Sequence, residues 1–252
     1  MTESTIRLFM KSNLFINHLL AFVVIVACSS PAVSSADTPA DLNTDEIVNR
    51  MVQRNQERAR DLQAFTGYRR YRLEYRGFPS QRSAELNVEV SYRSPGEKQF
   101  RVLSESGSQL IINRVFKKLL ESERDASDPT NQQRTALTPE NYEFLLIGSD
   151  SIAGQNQYIL SVTPRSEYKY LYRGKIWVDT NDFAVVQITA QPGRNPSLWT
   201  VHTDIQHVYV KIGKFWLPSH DTSVTKVRFG GTATLTIDYF DYNIGADAAI
   251  LQ

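Results

Sequence analysis

Alternation of apolar and polar residues with a period of two recurs along this chain and limits what it can fold into. In residues 84–92 every second residue is apolar and the residues between are polar or charged, and residues 232–243 repeat the pattern. Because successive side chains of a β-strand point to opposite faces, such runs predict strands with one buried face. The sequence therefore predicts an antiparallel, β-rich fold.

Short turns join the first of these strands. Residues 65–76 also alternate, Phe78-Pro79-Ser80 and Ser94-Pro95-Gly96 are turn sequences, and residues 99–103 follow as a third strand. Three consecutive strands with short connections predict an antiparallel meander.

A hairpin is predicted at 174–190, where the sequence reads GKIWVDTNDFAVVQITA. Its strands are 175–178 and 183–190, both rich in β-branched and aromatic residues. The tetrad 179–182 joins them, and its Asp and Asn side chains suit a turn because they bond to nearby backbone. After Gly148 the chain is predicted to be nearly all strand.

Two helices interrupt the strands. Asn43 and Glu46 match a capping box that opens a helix over 44–62. Ser108 is predicted to cap a second helix over 109–121, which has a broader apolar stripe. The polar segment 122–139 is predicted to be a loop or lid, and a short helix is expected from Pro139 to Leu146.

The N-terminal residues 1–36 are typical of a secretory signal peptide. Arg7 and Lys11 precede the apolar run 19–28, and small residues fill 29–36. Ten apolar residues are too few to span a bilayer, which takes about 20. Residues 37–252 are then expected to form a single domain.

Two processing routes fit this segment. Small residues at 34–36 suit cleavage before Asp37 by the general signal peptidase, whereas residues 25–28 resemble a bacterial lipobox whose Cys28 is acylated. The sequence leaves both open, so the protein is expected either in the periplasm or anchored to the outer membrane as a lipoprotein. Mass spectrometry of the envelope form distinguishes an acylated Cys28 from an N-terminus at Asp37.

Charge and cysteine content exclude several function classes. The chain has 28 Lys and Arg against 27 Asp and Glu. Removing residues 1–36 takes away Arg7, Lys11 and Glu3, so the remaining charges balance. A nucleic-acid-binding protein usually carries a basic excess. Cys28 is the single cysteine, so no intramolecular disulfide forms and stability depends on a buried core.

No pattern of catalytic or metal-ligating residues stands out. His202 and His207 are five residues apart on a predicted strand and face opposite sides. No CxxC, HExxH or GxSxG motif occurs. We therefore expect no enzyme activity, no metal and no cofactor.

Aromatic and basic residues interleave at 68–76 and 168–173, a pattern that can bind single-stranded nucleic acid. Alternation on a strand separates the two kinds of residue, with Tyr inside and Arg in solvent. We expect this second arrangement and no nucleic-acid partner.

The order of these elements resembles the outer-membrane lipoprotein carrier (LolA-like) superfamily, which includes periplasmic lipid-binding and sigma-regulator sensor domains. The local similarity is clearest in RGKIWVDTNDFAVVQI at 173–188 and GKFWLP at 213–218. The resemblance covers about residues 44–243. It implies an α+β fold, a strongly curved antiparallel half-barrel of about 9–11 strands with two or three helices as a lid over an apolar cavity.

The resemblance also implies a function. We expect a monomeric, non-enzymatic envelope protein that carries acyl chains of lipoproteins or lipids. The alternative is an envelope sensor or scaffold that binds a protein partner. In the classical carrier a strand arginine holds the lid closed, and Arg69, Arg70 and Arg72 are the candidates for that role. The expected cavity-lining residues are Leu73, Tyr75, Leu86, Val88, Val90, Val115, Phe116, Leu119, Trp177, Leu235 and Ile237.

Overall fold

The computed structural model describes residues 42–152, 154–168, 170–194, 200–228 and 230–245. The predicted signal peptide and the lipidation site at Cys28 lie outside these residues and stay predictions.

Ten strands form one antiparallel sheet in the described part of the chain. The sheet order is β3-β2-β1-β10-β9-β8-β7-β6-β5-β4, so β3 and β4 are its edges. The sheet is curved and does not close into a barrel, which confirms the predicted half-barrel. The strands are β1 (Ala64–Gly77), β2 (Arg82–Arg93), β3 (Glu97–Gly107), β4 (Tyr142–Ile152), β5 (Gln155–Pro164), β6 (Tyr172–Asp179), β7 (Val185–Pro192), β8 (Thr200–Ile212), β9 (Phe215–Val227) and β10 (Gly231–Ile244).

Helices accompany the sheet in two places. Helix α1 (Thr44–Asp61) precedes β1. Between β3 and β4 the chain forms α2 (Gln109–Ile111), a π-helical turn (Ile112–Phe116) and α3 (Lys117–Ala126) without a break. We call this continuous stretch, residues 109–126, the lid segment. A separate helix, α4 (Pro129–Thr135), follows it.

Residues 122–146 form different elements from those that the sequence predicts. The expected loop at 122–139 is wrong, because it contains the end of α3 and all of α4. The short helix expected over 139–146 is also wrong, since Tyr142 begins β4. Tyr142, Phe144 and Leu146 pack into the core at a spacing of two, so burial against the sheet overrides the local helical pattern.

The two predicted caps behave differently. The Asn43 side chain accepts a hydrogen bond from the Glu46 backbone N–H at 3.0 Å, and the Glu46 carboxylate accepts one from the Asn43 N–H at 3.4 Å. This is the predicted capping box. Ser108 occupies the N-cap position of α2, but its side chain makes no capping hydrogen bond.

The turn between β6 and β7 is ordered by Asp179. Its Oδ1 accepts hydrogen bonds from the backbone N–H groups of Asn181 and Asp182, at 2.9 and 2.7 Å. The left-handed residue of this connection is Phe183, with φ of 50°. A bulky residue in that region is strained and persists only where its surroundings hold it. Arg58 of α1 donates to the backbone carbonyls of Asp182 and Phe183, at 2.9 and 3.3 Å.

The apolar core has three clusters. The lid cluster joins the lid segment to β1, β2 and β10. The α1 cluster joins α1 to β4–β7, and a smaller cluster forms around Leu62, Phe65 and Leu217. Each of the two larger clusters is therefore covered by a different helical segment. None of the described helices combines the length and apolar character of a membrane span.

The two caps give a matched test of helix capping. We expect Asn43→Ala to lower the free energy of unfolding by about 1 kcal/mol, because it leaves the Glu46 N–H without its acceptor. Ser108→Ala, at a position with no capping bond, should change it by less than about 0.5 kcal/mol. Urea unfolding followed by circular dichroism measures both, and equal losses would contradict the assignment.

Candidate functional site

The concave side of the sheet brings most of the predicted lining residues together. In β1, β2 and β10 most of the inward positions are apolar, Arg69 being the charged exception on β1, and the lid segment lies over them. Leu73 of β1 is opposite Ala84 of β2 and Leu235 of β10, so the three strands present one continuous apolar surface. Ten of the predicted residues belong to or pack against the lid cluster: Leu73, Tyr75, Leu86, Val88, Val90, Val115, Phe116, Leu119, Leu235 and Ile237.

Trp177 is the exception among the predicted residues. Its neighbours Ile176 and Val178 are fully buried in the α1 cluster. Alternation on β6 therefore turns Trp177 to the convex side, where it is half-buried opposite Gln187. The structure does not bring Trp177 together with the other ten residues.

The lid segment places its own apolar side chains on this surface. Phe116 is fully buried and its ring centroid lies 6.2 Å from that of Tyr71. Val115 and Leu119 are also buried in the same cluster. The lid segment therefore covers this surface, and another apolar group could reach it only if the lid segment moved.

One buried ion pair joins the lid segment to the sheet. Arg69 of β1 donates through Nη1 to Glu123 of α3, and both side chains are at most 3% exposed. The Tyr71 hydroxyl donates to the other oxygen of Glu123 at 2.8 Å. Removing one partner of such a pair is costly because the remaining charge stays out of water.

Electrostatics favours the charged form of this pair. Burial lowers the pKa of Arg69, but the Glu123 carboxylate and the neighbouring tyrosines, Tyr71, Tyr239 and Tyr242, together outweigh burial and raise that pKa well above its ordinary value. Burial and the same carboxylate raise the pKa of Tyr71, so its hydroxyl remains a donor. Arg69 is therefore a permanent cation at the centre of the fold.

Arg69 corrects the expectation that arginines of the alternating 68–76 run lie in solvent. It shares the inward parity of Tyr71 and Leu73. Arg70 and Arg72 point outward and contact Glu85 at 3.6 and 3.2 Å on the surface. Of the three candidates for a lid-holding arginine, Arg69 is the one that contacts the lid segment.

A polar strip separates the lid cluster from the α1 cluster. His207 of β8 contacts Asp221 of β9 through Nδ1 and Oδ1 at 2.7 Å, and both are buried. The Tyr239 hydroxyl donates to the second oxygen of Asp221 at 2.5 Å. The Tyr239 ring also lies 4.8 Å from the Arg69 guanidinium carbon. Buried polar groups thus continue from the ion pair across the middle of the sheet.

These histidines do not assemble a metal site. His202 is on the opposite face of β8 from His207, as predicted, and contacts Asp204 at 2.7 Å. In the part of the chain that the structure describes, no three His, Cys, Asp or Glu side chains converge as metal ligands would. His220 contacts Asp238 at 2.8 Å on the partly exposed face.

Helix α1 is attached more firmly than the lid segment. Its Thr44 hydroxyl accepts a hydrogen bond from Leu146 of β4 at 3.1 Å. Arg58, near its other end, bonds to two backbone carbonyls of the β6–β7 turn. Both ends of α1 are therefore fixed to the sheet, whereas the lid segment is bonded to the sheet through Glu123.

Lys98 of β3 is a second buried cation near Arg69. It is 6% exposed. Burial, together with the Arg69 charge, lowers the pKa of Lys98 to about 7, and the Glu123 carboxylate opposes that shift. An amine in this position changes its charge near neutral pH.

Sequence reasoning missed Glu123, Lys98 and Asp221. Glu123 follows Leu119 and Leu120 at spacings of four and three, so it continues their apolar stripe. A carboxylate on such a stripe signals a buried partner, but the predicted helix stopped at residue 121. Lys98 and Asp221 carry no comparable signal, because their burial depends on elements distant in sequence.

Comparison with known proteins agrees with this geometry. The family model for the MucB/RseB N-terminal domain matches residues 66–190. The chain carries a MucB/RseB domain of LolA-like fold. This confirms the predicted resemblance to the LolA-like superfamily. The match spans β1 to β7, so Arg69, Lys98 and the lid segment of this chain all lie within the matched residues. No curated protein matches the chain.

Three solved structures are similar to it at low identity. A DUF1329 family protein from Desulfovibrio piger is 15% identical with a TM-score of 0.40, covering 81% of this chain and 94% of that one. A LolA superfamily protein from Nitrosomonas europaea is 12% identical with a TM-score of 0.36, covering 80% and 93%. The MucA/MucB complex of Pseudomonas aeruginosa is 11% identical with a TM-score of 0.23, covering 77% and 93%.

Loss of the buried ion pair should loosen the lid segment. We expect Glu123→Gln to lower the free energy of unfolding by about 3–5 kcal/mol, because Arg69 then keeps a buried charge without a counterion. Hydrogen exchange should speed up in residues 109–126 more than in α1. Glu143→Gln is the control, since its pair with Arg165 is exposed and contributes about 1 kcal/mol or less. Similar losses in the two variants would argue against the anchor.

Lys98 should impose a pH dependence on stability. Its pKa is about 7 in the folded protein against an ordinary 10.5, so between these values the unfolded chain binds more protons. Raising the pH through this window therefore stabilises the folded wild type. We expect Lys98→Met to be more stable than wild type at about pH 7, with a gap that narrows towards about pH 10. Lys175→Met, at an exposed position, should show no such narrowing; urea unfolding across that range measures it.

Proposed function

We propose that this protein is a non-catalytic binding protein of the cell envelope that takes acyl chains of lipoproteins or lipids on the concave face of its sheet. The observation that carries the proposal is the apolar surface of β1, β2 and β10 under a lid segment tied down by one buried ion pair. A signal peptide at residues 1–36 would deliver it to the envelope, in the periplasm or anchored through an acylated Cys28. Its MucB/RseB domain supports this class of protein.

The balance of energies supports exchange of the lid segment for an acyl chain. Burying a chain of ~16 carbons contributes ~10 kcal/mol or more, at ~0.8 kcal/mol per methylene. Breaking the Arg69–Glu123 pair costs about 3–5 kcal/mol. Opening also removes the apolar contacts of Val115, Phe116 and Leu119, and an acyl chain replaces those contacts on the sheet. A chain that reaches the surface can therefore hold the lid segment open. Helix α1 stays in place because both of its ends bond to the sheet.

Binding of a protein partner in the envelope is the second candidate. Both edge strands carry apolar side chains in solvent, among them Leu103 of β3 at 47% exposure and Leu145 of β4 at 62%. An edge strand presents unpaired backbone groups that a partner's strand can extend. MucB itself has been solved in complex with MucA. This function would use the rim of the sheet rather than its concave face.

A fluorescent fatty acid tests the first proposal. Delipidated protein should bind it with a saturable increase in fluorescence. Glu123→Gln should bind faster than wild type because its lid segment is loosened, whereas Glu143→Gln should match wild type. Stopped-flow fluorescence measures the rates. Absence of saturable binding in all three proteins would overturn the proposal and leave partner binding as the better candidate.

A further inference from the structure

Two buried basic groups beneath the lid segment share one buried carboxylate. Arg69 is charged, Lys98 gains its charge as the pH falls towards its pKa of about 7, and the buried carboxylate that acts on both is Glu123. Arg124 adds a third positive charge at the exposed rim. A buried charge without a counterion is unfavourable, so this region favours one more negative group.

One nitrogen of the Arg69 guanidinium group lacks a hydrogen-bond acceptor among the described residues. Its Nη1 bonds to Glu123 and to the Tyr71 hydroxyl, the latter at 3.2 Å. Its Nη2 is buried and has no hydrogen-bond partner among the described residues. A buried donor left without an acceptor is uncommon in folded proteins and costs free energy. An oxygen-rich ligand group would satisfy it.

An aromatic ring packs against the guanidinium groups of Arg69 and Arg124. The Phe100 ring centroid is 5.6 Å from the Arg69 guanidinium carbon and 5.5 Å from that of Arg124, so both cations flank one ring. Lys98 is two residues before Phe100 and shares its face of β3. Phe100 packs against the lid cluster, so the cations border the apolar surface directly.

A charged site beside an apolar surface matches one class of ligand. We propose that Arg69 and Lys98 bind the anionic end group, a carboxylate or a phosphate, of a single-chain amphiphile whose hydrocarbon tail lies against β1, β2 and β10. This inference rests on the proposed function, because it assumes that the tail reaches that surface. It adds a second requirement, that the ligand carry a negative charge.

The same site couples binding to movement of the lid segment. Arg69 bonds to Glu123 through Nη1, and an anionic end group on Nη2 and Lys98 would compete with Glu123 for the guanidinium charge. A guanidinium group can donate two parallel hydrogen bonds to two oxygens of one carboxylate or phosphate group. The planar guanidinium group of Arg69 therefore suits an end group of this kind. An anionic amphiphile therefore weakens the contact that closes the lid segment, whereas a neutral one does not.

Matched 12-carbon probes test this requirement by isothermal titration calorimetry. Dodecanoate, dodecyl phosphate and 1-dodecanol share one tail and differ in the end group. We expect the two anions to bind about tenfold to a hundredfold more tightly than the alcohol, the range for a hydrogen bond to a charged group. Tighter binding of dodecanoate than of dodecyl phosphate identifies a carboxylate site, and the reverse identifies a phosphate site.

Proton uptake is a readout that a structural role for Lys98 would not produce. At about pH 8 Lys98 is mostly neutral in the free protein, since its pKa is about 7, and a bound anion favours its protonated form. The binding heat of the anions should therefore change between buffers of different ionisation enthalpy. The heat of the alcohol should not.

Substitution of Lys98 completes the test. Lys98→Met should abolish the buffer dependence and reduce the preference for anions to about threefold or less, while the exposed control Lys175→Met keeps the wild-type preference. Equal binding of all three probes by wild type would overturn the anion site and leave acyl-chain binding intact. Failure of every probe to bind would instead reject the proposed function itself.

Discussion

The buried pair of Arg69 and Glu123 is the contact on which the arrangement of this protein depends. It joins β1, an interior strand of the sheet, to the lid segment, which also packs on the sheet through its apolar side chains. A buried ion pair contributes little net stability when it replaces apolar packing, but breaking it is expensive. Its effect is therefore to define one closed position for the lid segment. Tyr71 strengthens that position because its hydroxyl fixes the second oxygen of Glu123.

The polar strip extends the influence of this pair across the sheet. Tyr239 stacks on Arg69 and donates to Asp221, which contacts His207. Apolar surface on one side is covered by the lid segment, which bonds to the sheet through Glu123. Apolar surface on the other side is covered by α1, which bonds to the sheet at both ends. The fold thus combines a part whose helix is bonded at both ends with a part whose helical segment is bonded through Glu123, and buried polar groups mark the boundary between them.

Period-two alternation was sufficient to predict most of this architecture. It predicts the strands β1, β2 and β10 and the seven lining residues on them, whereas Val115, Phe116 and Leu119 follow from the apolar stripe of the predicted second helix. The capping box at Asn43 placed the start of α1 correctly because capping is a local interaction. Trp177 is predicted to line the cavity, but on β6 it alternates with Ile176 and Val178, which are buried. The alternation that predicts the strand therefore also places Trp177 on the opposite face.

The functional polar residues were harder to predict for a physical reason. Arg69, Glu123 and Lys98 come from β1, α3 and β3, and their contacts form only when the lid segment folds back on the sheet. Local sequence reports the face on which a side chain lies but not its partner across the core. The segment 122–146 failed for a similar reason, since Tyr142 becomes a strand residue through packing against β5 and α1.

The pairing of β1 with β10 has a consequence for the order in which this chain folds. Residues 64–77 and 231–244 lie side by side in the interior of the sheet, as its third and fourth strands, with Tyr71 opposite Ile237. Strand pairs so distant in sequence close late, because closing so long a loop of unordered chain costs entropy. The strands β1–β3 and the strands β4–β9 can form as separate meanders while synthesis continues. They become one surface only after β10 has left the ribosome and paired with β1. A polypeptide truncated before residue 231 would therefore leave β1 and β9 as unpaired edges, exposed to aggregation and to proteolysis.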